Sequence, residues 1–264
     1  MNRLTMIWDI MKFELRRSLT PGRMAMWLVL VVFPIAIVAT MRAIAEVTLG
    51  EKYEPSDFVE PFGFTVYFLV PEVTCLLGLL LWATPAISTE VEGQTWIYLA
   101  MRQSGRRMVL FGKYLTAVAW TTSAALIAAS ACVLVIGGPE MHRMWCVMSA
   151  LVLLSCFAHA AVFLLIGVVF YRRTMVSAVA YTMVVEYGLS FIPALVNKFT
   201  INYRLRGLLA NWMEWENVRT NAENIFGIEP VSTHLLVLTA ITVTMLGISL
   251  YYVEHAEYPT QQEG

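Results

Sequence analysis

Six stretches of about twenty apolar residues dominate the chain, near 24–45, 66–88, 114–136, 145–170, 175–196 and 232–253. A helix rising 1.5 Å per residue needs about 20 residues to cross a hydrocarbon core of about 30 Å, so windows of this length read as transmembrane helices. The predicted fold is therefore all-α, a polytopic membrane protein with six transmembrane helices. With 58% hydrophobic residues and a mean hydropathy of +0.65, the 264 residues carry far more apolar surface than a soluble core of that length uses. The first window is too long for a signal-peptide core and no small-residue cleavage pattern follows it, so it reads as a retained span.

Orientation follows from Lys and Arg, which stay on the cytoplasmic side near helix ends. Starting with the N-terminus inside, the cytoplasmic segments collect Arg3, Lys12, Arg16, Arg17, Arg23, Arg102, Arg106, Arg107, Lys113, Arg172 and Arg173. Before the last loop, the outer segments hold only Arg42, Lys52 and Arg143. Both termini are thus expected in the cytoplasm, with the protein in the cell's inner membrane.

Residues 1–23 precede the first span as a unit of their own, and 24–264 form one six-span domain. In the former, Leu4, Ile7, Trp8, Met11 and Leu15 recur at helical spacing opposite Asp9, Lys12, Arg16 and Arg17. This is the pattern of an interfacial amphipathic helix, with Trp8 at headgroup level and a break at Thr20-Pro21-Gly22. The first outer loop, Glu46 to Glu60, is acidic and solvated. Gly137-Gly138-Pro139-Glu140 and Tyr171-Arg172-Arg173-Thr174 are tight connections, which makes spans three to five sequential antiparallel neighbours. Residues 197–230 are too polar to span and too apolar for a free loop. Short interfacial helices are expected there before the last span, with Trp212 and Trp215 as anchors.

The four cysteines, Cys75, Cys132, Cys146 and Cys156, all sit in apolar segments without metal-ligand or disulfide-framework spacing. No catalytic metal or nucleophile motif is present, and the four histidines are scattered. Nor is there a nucleotide-binding loop: the Gly112-Lys113 pair has Arg107 where the first glycine belongs and Tyr114 where Ser or Thr belongs. No cofactor is expected in this chain.

Ionisable groups inside a bilayer cost about 2.5 to 3.5 kcal/mol each near a helix centre. Glu186 is the clearest instance. It either lines a pathway, paired with His159 of the preceding span if their heights agree, or is held by Tyr181, Tyr187 or a neighbouring helix. Glu72 follows Pro71 near the outer end of the second span, where water is expected to reach it. Pro34, Pro71, Pro85 and Pro193 each remove a helical hydrogen bond.

Between the second and third windows lies a long run of mixed charge, AISTEVEGQTWIYLAMRQSGRRMVLFGKYL, from Ala86 to Leu115. Held at both ends by spans, it is a candidate transmission element, with the cytoplasmic loop at 89–113. Glu90, Glu92, Gly93, Thr95 and Leu99, followed by Arg106 and then Gly112-Lys113 at the start of the next span, resemble the permease subunits of type-2 ABC transporters, the exporter-like class. Gln94 separates Gly93 from Thr95, and Ser104-Gly105 stands where that family often has proline.

The resemblance implies a permease that works as a dimer, with a second copy or a homologous chain, beside a separate ATPase subunit that binds ATP and Mg. Glu90, Glu92, Gly93, Thr95 and Arg106 would couple to that ATPase, with Glu90 and Glu92 facing it or bracing the second span. Arg16, Arg17, Arg107 and Lys113 would meet membrane lipid or the partner; no nucleic-acid partner is expected. Two other readings stand beside it: a proton-coupled secondary transporter with Glu186 as carrier, and a membrane-embedded lipid-modifying enzyme using Glu186 and His159.

Overall fold

The computed structural model describes residues 3–50, 58–93, 105–189, 195–215, 218–219, 221–256 and 258. Helices account for nearly all of them, and no strand occurs among the described residues. In chain order the helices are α1 (Arg3–Ser18), α2 (Pro21–Leu49), α3 (Val59–Tyr67), α4 (Cys75–Trp82), α5 (Ser88–Glu92), α6 (Gly105–Ile136), α7 (Met141–Val169), α8 (Thr174–Tyr181), α9 (Ile201–Met213), α10 (Asn221–Phe226) and α11 (Val231–His255).

Among the described residues five helical stretches are long and apolar enough to cross a membrane: Pro21–Leu49, Val59–Ala86, Gly105–Ile136, Met141–Val169 and Val231–His255. The chain is a membrane-embedded helical protein. The second stretch starts at Val59, earlier than its apolar window, and is not uniform. A π-helical turn, Phe68–Thr74, joins α3 to α4 around Pro71. Proline has no N–H to give the preceding turn, and the Thr74 hydroxyl donates to Leu69 O at 2.8 Å inside the widened turn.

Helix α7 is the axis of the bundle. Its small residues Ala158, Ala160, Ala161 and Gly167 are buried, and α4, α6, α9 and α11 all pack against it. Gly167 lies so close to the Thr84 carbonyl that a Cβ there would overlap the backbone. At one end of the bundle α6 and α7 are joined by a short turn in which Gly137 (φ 69°) and Gly138 (φ 94°) take left-handed backbone angles that favour glycine. The opposite end gathers α1, α5, the start of α6 and the last turn of α11.

The window at 175–196 forms no single long helix. It holds α8, a second π-helical turn at Thr182–Gly188 and the start of a 3₁₀ turn at Leu195–Phe199, while residues 190–194 lie outside the described set. The Tyr258 hydroxyl donates to Val168 O at 3.0 Å, so α7 and α11 finish at the same end of the bundle. The chain between them therefore returns across the bundle in pieces. Part of that return is α9, whose residues Ile201 to Ala210 are all buried, including Asn202, Arg204 and Arg206. Thr200 caps its first turn, its Oγ1 accepting from Tyr203 N at 3.3 Å.

Candidate functional site

Two constellations of charge are built into this frame. The first lies where α1, α5 and α6 meet. Glu90 is 2% exposed and one of its oxygens, Oε1, accepts both from Lys113 Nζ at 2.6 Å and from Arg17 Nη1 at 3.0 Å. Lys113 is itself 8% exposed. Expected at lipid or a partner, it is turned inward because the approach of α5 supplies a carboxylate that compensates its desolvation. Close packing brings α1 in: a Cβ on Gly112 would sit 2.6 Å from Ile10 Cγ2, so only glycine admits α1 at this distance. Trp120 Nε1 donates to Ser18 Oγ at 2.6 Å and closes the contact at the last residue of α1.

The bases at the start of α6 turn toward α11. Arg106 donates to the carbonyls of Glu254 (3.1 Å) and Ala256 (3.4 Å), and Arg107 pairs with the Glu254 carboxylate. A cation over the last carbonyls of a helix answers its dipole and its unpaired acceptors together. Arg17, Arg107 and Lys113 are thus all engaged within the chain, and Arg16 is exposed. Glu92 and Gly93, two and three residues beyond Glu90, are exposed as well, so the two acids divide between bracing and facing outward. Thr95 lies outside the described residues. Trp8 is 53% exposed, with Lys12 Nζ 5.3 Å from its ring centroid.

The second constellation surrounds α9. Glu72 is fully buried rather than open to water, because α9 covers it and brings Arg206, whose Nε and Nη2 donate to its two oxygens at 2.8 and 3.2 Å. Such a two-pronged pair is among the stronger ways to hold a carboxylate out of water. The second π turn carries Glu186, also fully buried, which accepts from Tyr181 Oη at 2.7 Å and from the backbone N–H of Asn202 at 3.1 Å. This carboxylate therefore caps the first turn of α9, where free N–H groups and the helix dipole favour negative charge. His159 does stand at the same height, its Nε2 3.8 Å from Glu186 Oε2. Its Nδ1 lies 3.1 Å from both Ser155 O and Ser155 Oγ, and the Ser155 hydroxyl donates to Pro71 O at 2.6 Å. Each of the two π turns thus contributes an acid that holds α9.

Toward the far end, Arg204 donates to Lys198 O at 2.7 Å and pairs with Glu229, which Lys198 also reaches at 2.7 Å. Burial opposes ionisation of Glu229, but the hydrogen bonds from Lys198 and Arg204 outweigh it and hold the carboxyl below its usual range. Glu223 is pushed the other way, by burial and by the charge of Glu229. Trp215 is 7% exposed and lies against Gly63 of α3, while Trp212 is half-buried and its carbonyl accepts from Arg143 Nε at 3.1 Å.

Sequence reasoning left out Arg206, Asn202, Ser155 and Tyr67, whose hydroxyl donates to Asn202 O at 3.4 Å. Arg206 was visible only as one of several diluted charges in 197–230; its partner lies 134 residues away. The others are hydroxyl, amide or backbone contacts with no pattern of their own. No family model and no curated protein matches the chain.

Proposed function

We propose that this chain is the membrane subunit of an ATP-driven exporter of the type-2 ABC class, receiving force from a separate ATPase that binds ATP and Mg. The observation that carries this reading is the Glu90 junction. The segment between the second and third long helices is tied through one carboxylate to α1 and α6, while the neighbouring Glu92 stays exposed for a partner. A push on that segment reaches α1 and α6 directly, and Arg106 and Arg107 pass it to the end of α11. In this reading the broken return through α8 and its π turn is the fifth of six crossings, and both termini lie in the cytoplasm of an inner-membrane protein. α1 rests in the interface with Trp8 outward, and two such chains, alike or homologous, form the pathway between them. The substrate can be exported matter, or the movement itself can be the product.

Mild-detergent purification of the tagged chain from its own membranes is expected to recover an ATPase. Glu92→Arg should lower transport-coupled hydrolysis while leaving membrane insertion intact; full coupling in that variant would remove the docking role of this segment. A second reading, a proton-driven transporter, draws support from the buried approach of His159 to Glu186. Transport that persists without any ATPase and collapses with the proton gradient would favour it. For a lipid-modifying enzyme the same pair is poorly placed, since His159, Glu186 and Ser155 are all 0% exposed.

A further inference from the structure

At the elbow between α1 and α2 a small, open cleft is lined by Glu14 and Ser18 of α1, Arg23 of α2, and Lys113 and Thr116 of α6. Its remaining wall is largely apolar, from Trp82, Pro85 and Ala86. Arg23 is exposed and makes no ion pair or hydrogen bond with another described residue. Lys113 also lines the cleft, its ammonium held by Glu90 at 2.6 Å. The charged residues of the lining are Arg23 and Lys113 against Glu14.

We propose that this cleft binds a phosphate oxyanion, supplied by the headgroup of an anionic lipid. The exposed Arg23 guanidinium matches the charge and the acceptor-rich shape of a phosphate, and Lys113 adds positive charge to the same lining. The Trp82, Pro85 and Ala86 wall suits the glycerol carbons that follow it, which a free phosphate lacks. The lining comes from α1, α2, α6 and the turn before α5, so a bound headgroup bridges the pieces that meet at Glu90. This inference stands on the cleft and does not depend on the exporter reading.

The test is native mass spectrometry of the full chain released from mild detergent containing equal amounts of phosphatidylglycerol and phosphatidylcholine. The wild type is expected to retain phosphatidylglycerol in preference. Arg23→Gln should reduce that retention about fivefold, the effect of one basic residue near an anionic surface, while Arg143→Gln at the other end of the bundle leaves it unchanged. Equal retention of the two lipids by the wild type, or undiminished phosphatidylglycerol in Arg23→Gln, would overturn the site. Displacement of the lipid by inorganic phosphate would leave the anion site standing and overturn its lipid source.

Discussion

Replacing Glu90 by Gln removes the charge on which two cations converge and keeps the shape of the side chain. The two cations are not equally affected. Arg17 has 49% of its side chain in contact with solvent, so its half of the junction is screened and worth at most about 1 kcal/mol. Lys113 has 9% of its side chain exposed and loses the carboxylate 2.6 Å away, leaving a buried ammonium facing an amide. Removing one partner of a buried pair costs about 3–5 kcal/mol, and the lower end applies here because the amide oxygen still accepts one hydrogen bond. At about 2–4 °C per kcal/mol for a chain of comparable size, Glu90→Gln should melt roughly 6–12 °C below the wild type.

Tryptophan-fluorescence melting in one detergent at fixed pH reads this directly. The double variant Glu90→Gln with Lys113→Met should recover more than half of the loss, because no buried charge then remains. Glu92→Gln, at an exposed position two residues on, should stay within about 0.5 kcal/mol of the wild type. If Glu90→Gln melts with the wild type, or if the double variant is less stable than the single one, the pairing does not hold α5 to α6 and the mechanical argument built on it fails.

Two further outcomes follow from the constellation around α9. Glu72→Gln should cost about 3–5 kcal/mol by leaving the Arg206 guanidinium buried without its carboxylate, whereas Glu72→Met combined with Arg206→Leu should fall within about 2 kcal/mol of the wild type; a double-mutant cycle on melting temperatures checks the difference. The carboxyls of Glu223 and Glu229 should give stability opposite dependences on pH. Glu229, held low, contributes stability that is present above its unfolded pKa and lost as pH falls through its folded value. Glu223, held high, keeps its proton longer in the folded chain, so its cost grows as pH rises from the unfolded value through the folded one. Glu223→Gln should therefore melt higher than the wild type near neutral pH and lose that advantage in acid, and a pH series of melting curves that shows no such crossover would contradict the assignment.

The long helices were legible because each contains most of an apolar window, and the turn at Gly137-Gly138 because two glycines followed by Pro139 break a helix. The short ones were not. Residues 201–213 mix Arg204, Arg206 and Asn202 with leucines, a pattern that describes a surface helix unless the partners are known. Those partners, Glu72, Glu186 and Glu229, come from three other parts of the chain, and a composition window contains none of that. The division of labour between Glu90 and Glu92 was likewise open in the sequence: both are acids two residues apart on a five-residue helix, and only the arrival of Lys113 and Arg17 from elsewhere decides which is buried. Height agreement between His159 and Glu186 could be posed as a question from the sequence but needed the π turn to be answered.

The pairing of Glu72 with Arg206 also sets a schedule. A ribosome adds about 5–20 residues per second, and 134 residues separate the acid from its base. For roughly 7 to 27 s after Glu72 is made, the nascent second helix carries a carboxylate whose counter-ion has not yet been translated. Until α9 arrives that helix bears the cost of a lone acid in an apolar segment, about 2.5–3.5 kcal/mol, which makes the segment that looks most like a surface loop the part that relieves one of the first helices.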